Sequence, residues 1–186
     1  MFPAIFLDRD GVLIENQANY VRDWSQVEVF PEAIVALSDP KLDTYKIVVV
    51  TNQSAVGRGI ISIETAISIN DRLVGVVRDR SGRLDNAYIC PHSPDDDCDC
   101  RKPKPGLLLQ AAEEMSLDLK RSWMIGDAWS DVEAGHAAGV RGTIIIKTGR
   151  GEEQLSLSRP KGNGNYFICN NLSHALKTIL EFDNVD

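Results

Sequence analysis

Strand-like segments that alternate with helical patterns constrain this chain more than any other feature. Five segments rich in branched and aromatic side chains read as strands: Ala4 to Asp8, Lys46 to Asn52, Asn86 to Cys90, Trp123 to Asp127 and Gly142 to Lys147. Near-continuous apolar runs of this kind belong to parallel sheets, because helices cover both of their faces. A weaker sixth strand is expected at Tyr166 to Cys169. Between the strands, Pro31 can open a helix at its first turn, running to about Ser38. Ser62 can cap a second, with Ile63, Ala66, Ile67, Leu73, Val74 and Val77 on one face. A third follows Pro105 to about Met115, and a fourth runs from about Ser130 to Ala138, stopped by Gly139. Leu172 to Phe182 reads as a last helix. The expected architecture is α/β: a Rossmann-like parallel sheet of about five or six strands with helices on both faces.

Two stretches depart from this alternation. Residues 11–29 follow the first strand with no immediate helix and are expected to form a flap over a site. Residues 148–165, with Gly149, Gly151, Gly162 and Gly164, read as a mobile loop or linker. With 186 residues and no internal repeat, a single domain over 1–186 is expected. The longest apolar runs are about five or six residues, far below the roughly 20 that span a bilayer. No basic segment precedes a long apolar stretch at the start, so a cytoplasmic protein is expected. A formal net charge of −7 argues against nucleic acid or an acidic membrane as partner. A small phosphorylated substrate is compatible with it, since a pocket can be locally basic; a monomer is expected.

Ligands of parallel α/β sheets bind outside the carboxyl ends of the strands. Four polar clusters fall at that edge. Asp8 and Asp10 end the first strand, Thr51-Asn52-Gln53-Ser54 ends the second, Arg101-Lys102 precedes a helix, and Gly126-Asp127 ends the fourth. Taken singly, each has a plain structural explanation: a turn, a cap or a solvated charge. Together they form the inventory of phosphoryl transfer. One carboxylate can attack phosphorus and a second can move the proton. A hydroxyl and a cation can stabilise the equatorial oxygens, and further carboxylates suit Mg²⁺.

In order and spacing, Asp8-x-Asp10-Gly11-Val12, Thr51-Asn52, Arg101-Lys102-Pro103-x-Pro105 and Gly126-Asp127-x-x-x-Asp131 resemble the four motifs of the haloacid dehalogenase superfamily of phosphatases. The resemblance spans residues 4 to about 150. It implies Asp8 as nucleophile, Asp10 as general acid/base, and Thr51 and Lys102 as ligands of the transferred phosphoryl group. It also implies Mg²⁺ on the Asp8 carboxylate, the Asp10 backbone carbonyl and Asp127, with Asp131 orienting that shell.

Cys90-x-His92-x₅-Cys98-x-Cys100 offers three thiolates and an imidazole, a donor set suited to tetrahedral structural Zn²⁺. The alternative is a loop with free cysteines and a capping histidine. A zinc-binding loop over residues 90–100 would tie down the approach to Arg101 and Lys102. Cys169 stands alone and reads as a buried small hydrophobe. With this cluster, the chain is similar to the D-glycero-D-manno-heptose 1,7-bisphosphate 7-phosphatases and to the related histidinol-phosphate phosphatases. These are members without a large cap domain, so the resemblance implies none here. It places substrate contacts on Asn16, Gln17, Ala18, Asn19, Thr51, Asn52, Gln53, Ser54, Arg101 and Lys102, with Arg58 near the entrance. Two departures from that family bear on substrate: Ala128 stands where members often carry a basic residue, and Asp95-Asp96-Asp97 occupies a short cysteine loop. A non-enzymatic alternative is a phosphoacceptor receiver domain, which also sets acidic residues, a Thr and a Lys on a parallel sheet.

Overall fold

The computed structural model describes residues 1–157 and 165–183. Six parallel strands, β1 (Ala4–Leu7), β2 (Lys46–Asn52), β3 (Asn86–Cys90), β4 (Trp123–Gly126), β5 (Gly142–Ile146) and β6 (Tyr166–Cys169), form one sheet in the order β3-β2-β1-β4-β5-β6. All six occupy expected segments. Three of them stop one residue early, releasing Asp8, Asp127 and Lys147 from the ladder at the carboxyl edge. Phe6 pairs with Val48 on one side and Met124 on the other, so β1 is central.

Side chains alternate between the two faces of the sheet, and each face has its own core. Ile5, Leu7, Ile47, Val49, Trp123, Ile125, Ile144 and Ile146 point to one side. There they meet α1 (Pro31–Leu37), α3 (Ile63–Arg78) and α7 (Leu172–Asp183). Ala4, Phe6, Val48, Val50 and Met124 point to the other, against α4 (Gly106–Met115) and α5 (Trp129–Ala138). Phe6 is fully buried, and truncating a buried Phe to Ala costs about 3–5 kcal/mol. Cys169 is buried in the first core, as a small hydrophobe would be.

Helix signals are reproduced closely, including the Ser62 cap, which accepts from the Thr65 amide. One face assignment is corrected. Ile67 lies in solvent, whereas Ala66, Ile69, Asn70, Leu73 and Val77 are buried, so the contact stripe is rotated away from Ile67. A short helix, α2 (Ser54–Gly57), follows β2. The loop expected at 148–165 is corrected too: Gly151–Ser156 forms α6. Glu152 and Glu153 in its first turn suit the positive end of a helix, and Gln154 anchors it by accepting from the Trp129 indole and amide. Gly162 and Gly164 lie outside the described residues.

Residues 11–29 carry no α-helix. Their base is a tight turn in which the Arg9 carbonyl accepts from Val12, Leu13 and Ile14. Ile14 then bridges Val29, and the buried Val12, Leu13 and Ile14 anchor the segment in the core. Among the described residues, no helix is long and apolar enough to cross a membrane.

Candidate active site

The strand order reverses direction between β1 and β4, and parallel sheets open a crevice at such a point. Asp8 leaves β1 there, its amide still bonded to the Ile125 carbonyl at 3.0 Å, and Asp127 leaves β4 beside it. Asp131, in the first turn of α5, folds back to accept from the Ala128 amide at 3.1 Å. Carboxylate oxygens of Asp8, Asp127 and Asp131 lie within 4.8 Å of one another.

Lys102 stands among these acids. Its Nζ lies 2.9 Å from Asp8 Oδ1 and 2.6 Å from Asp131 Oδ1, and donates to the Val50 carbonyl at 2.7 Å. Its backbone is clamped by Asn52, whose Nδ2 donates to the Lys102 carbonyl and whose Oδ1 accepts from the Lys102 amide. Burial works against the Lys102 charge, yet Asp131 and Asp8 outweigh it and hold the ammonium above its ordinary range. Burial pushes Asp131 up to about 7, with Asp8 and Asp127 adding to the push and Lys102 opposing it. Asp127 is raised as well, by burial first and by Asp8 second. Three acids around one ammonium leave an excess of negative charge that a further cation would relieve.

Asp127 shows where such a cation fits. Its Oδ2 accepts from Asn16 Nδ2 at 2.6 Å and from the Arg150 amide at 2.8 Å. Its Oδ1 is buried and accepts no hydrogen bond among the described residues; Arg150 Nη2 lies 3.6 Å from it. Two glycines close over this carboxylate. A Cβ on Gly11 would lie 2.1 Å from Asp127 Oδ2, and one on Gly149 would lie 2.5 Å from it. Both also have positive φ, +83° and +58°, so any side chain there would be strained as well as crowded.

Asp10 is gripped differently. Arg9 donates to it from Nε and Nη2, and Gln53 Nε2 donates to Asp10 Oδ2 at 3.0 Å and to Thr51 Oγ1 at 2.9 Å. The crevice above is a cavity of about 750 Å³. Of the expected residues, Asp8, Asp10, Asn16, Gln17, Ala18, Asn52, Gln53, Ser54, Arg101 and Lys102 line it. Thr51 is fully buried, its hydroxyl accepting from Gln53. Asn19 belongs to a neighbouring cavity with Arg22, Gln26 and Glu28. A turn closed by Tyr20 N–H to the Gln17 carbonyl, with Tyr20 at φ 64°, carries Asn19 away at its tip. Arg58 is exposed at the end of α2 and does not line the cavity.

Several lining residues escape a sequence reading. Tyr20, Val21, Ser130, Arg150 and Glu153 carry no pattern that marks them. Arg9 did carry a signal: a cation set between two acids at the end of an apolar strand.

A second cluster lies at the same edge, after β3. Cys90 Sγ is 3.6 Å from Cys98 Sγ and 3.7 Å from His92 Nδ1; Cys100 Sγ is 3.5 Å from Cys98 Sγ and 3.2 Å from His92 Nδ1. Four donors at tetrahedral corners about 2.0–2.3 Å from Zn²⁺ have edges of about 3.3–3.8 Å, so the spacing suits that ion. Burial pushes the Cys90 thiol up, and burial with the neighbouring thiols pushes Cys100 up to about 12. The acidic triplet of this loop does not line the cavity. Asp96 accepts from the Ser93 amide, and Asp97 pairs with Lys104 at 2.8 Å.

The chain is similar to known proteins in sequence and in fold. A HAD-hydrolase-like family model matches residues 99–175. The D-glycero-beta-D-manno-heptose-1,7-bisphosphate 7-phosphatase of Pasteurella multocida is 40% identical over 156 residues, 81% of this chain and 84% of that one. The same-named protein of Pseudomonas putida is 34% identical over 84% of this chain and 89% of its own. In solved structures, the D,D-heptose 1,7-bisphosphate phosphatase of B. bronchiseptica, complexed with magnesium and phosphate, superposes with a TM-score of 0.88. It is 29% identical, over 97% of this chain and 99% of that one.

Proposed function

The chain belongs to the haloacid dehalogenase-like phosphatases, and from that premise we propose that it removes the 7-phosphate of D-glycero-D-manno-heptose 1,7-bisphosphate through an aspartyl-phosphate intermediate. The observation that carries this reading is the buried Lys102 ammonium held between Asp8 and Asp131, beside an Asp127 oxygen without a hydrogen bond. Asp8 is the nucleophile, its carboxylate paired with the ammonium 2.9 Å away. As an Asp8 oxygen bonds to phosphorus, the bond from phosphorus to the sugar oxygen breaks, and Asp10 gives that oxygen its proton. Asp10 then takes a proton from water, which attacks phosphorus and returns Asp8 as carboxylate. Lys102 and Thr51 serve the transferred group, with Gln53 linking Thr51 to Asp10. Asn52 acts by fixing Lys102. Residues 11–29 act as the flap, with Asn16, Gln17 and Ala18 against the substrate.

The oxygen donors fit Mg²⁺. Asp8, Asp127 and the Asp10 backbone carbonyl would hold it, and when bound it would neutralise charge on the phosphoryl oxygens. The thiol and imidazole donors fit a structural Zn²⁺ that braces the loop into Lys102. A cytoplasmic monomer of one domain completes the reading.

Arg101 and Arg150 line the cavity beyond Lys102, which favours a substrate with a second phosphate over histidinol phosphate. Membership among hydrolases sets aside the receiver-domain alternative. The test is a panel of phosphate esters with Mg²⁺, including both heptose bisphosphate anomers and histidinol phosphate, ranked by kcat/KM. The heptose bisphosphates are expected at the top; preference for a monophosphate would overturn the substrate.

A further inference from the structure

One buried charge plays no part in the chemistry above. Arg9 is 1% exposed, although it sits between the nucleophile and the general acid/base. All three of its nitrogens are engaged. Nη2 approaches Asp10 Oδ2 to 2.9 Å and Oδ1 to 3.2 Å, Nε donates to Oδ2 at 3.1 Å, and Nη1 donates to Asn70 Oδ1 at 3.0 Å. Because both Asp10 oxygens are engaged, the carboxyl plane is fixed rather than free to rotate.

Asn70 supplies an independent observation. It comes from α3, far along the chain, and sits on that helix's buried stripe with Ala66, Ile69, Leu73 and Val77. An amide there is an odd choice, because its Nδ2 is buried and finds no partner among the described residues. A leucine would pack better and leave no donor unpaired. The amide makes sense only through its other end, the oxygen that holds Arg9.

We propose that Arg9 and Asn70 are positioning residues that aim the Asp10 carboxyl at the leaving-group oxygen, Asn70 orienting the guanidinium and the guanidinium orienting the acid. This rests on the phosphatase reading, and it makes a claim that reading does not. Proton donation by Asp10 matters when phosphorus leaves an alkyl oxygen, since an alkoxide departs poorly. It matters little when the leaving group is 4-nitrophenolate, which departs without a proton. Loss of aim therefore penalises alkyl esters selectively.

The experiment compares kcat/KM, which reports the step that expels the leaving group, for heptose bisphosphate and for 4-nitrophenyl phosphate. Arg9→Met is expected to lower the value for the sugar ester by on the order of 10²-fold, the lower range of general-acid contributions, and to change the aryl ester by less than about fivefold. Asn70→Ala should shift the same ratio in the same direction by about tenfold, whereas Asn70→Asp, which keeps an acceptor for Arg9, should leave it near wild type. Asn70→Ala removes no charge and decides the matter should Arg9→Met fail to fold. Equal losses on both esters, or none on either, would overturn the positioning role alone. Wild-type protein inactive on both esters would overturn the phosphatase reading beneath it.

Discussion

Two ligand clusters share one edge of the sheet, and they are built on opposite principles. The acidic cluster of Asp8, Asp127 and Asp131 concentrates like charge in near-complete burial, under a cavity of about 750 Å³, with one oxygen left unbonded. The thiol cluster brings Cys90, His92, Cys98 and Cys100 together, with four of their pairs 3.2–3.7 Å apart. None of those four lines the catalytic cavity. A site with an unfilled direction can exchange ligands and react; a site whose four donors already face one another can only hold. Burial does not separate them, since both lie partly or wholly inside. What separates them is whether the donor set closes on itself.

The comparison breaks first at Asp8. Asp8→Asn is expected to lower kcat by on the order of 10⁴-fold or more, because the amide neither attacks phosphorus nor matches a carboxylate as cation ligand. Turnover near wild type with Mg²⁺ present would remove Asp8 from its role. Lys102→Met comes next. It should reduce kcat/KM by about 10²–10³-fold and destabilise the fold by about 3–5 kcal/mol, since two buried carboxylates lose their ammonium. Denaturant titration checks the second figure, and an unchanged midpoint would count against the buried charge balance.

At the other cluster the effect is expected on stability. Cys98→Ser with Cys100→Ser should remove bound zinc, read by elemental analysis, and lower Tm by on the order of 5 °C, what about 2 kcal/mol does in a chain this long. Omitting Mg²⁺ should do the reverse, silencing turnover with the thiol-bound metal retained. Zinc-free wild-type protein of undiminished Tm would erase the distinction between the clusters. The smallest effect belongs to Lys104→Ala. Its pairs with Asp97 and Asp99 are solvent-exposed, so neither Tm nor kcat should move measurably.

What the sequence makes legible follows physical range. Strand segments and the Ser62 cap are local events, set by period and by one hydroxyl, and they appear where expected. Asp8, Asp10 and Asp127 are legible because they follow strand ends, and Lys102 because it precedes a helix, all in a recognisable order. The grip of Asn16 on Asp127, of Asn52 on Lys102 and of Asn70 on Arg9 is not. An Asn carries no address in its own neighbourhood; its partner is fixed only when separate loops meet. Ile67 shows the same limit on a smaller scale, since a helix has one apolar period but tertiary contact decides where its stripe is centred.

The central place of β1 has a consequence for how the molecule comes into being. Its hydrogen-bonding neighbours, β2 and β4, are made later in synthesis, so the strand that ends in Asp8 emerges from the ribosome with neither edge satisfied. Contacts of such long sequence separation form slowly and together. A chain that has not yet produced Gly126 has Asp8 but no crevice to place it in. Catalysis is therefore a late event of folding, and the first phosphate ester the protein cleaves certifies that its sheet is complete.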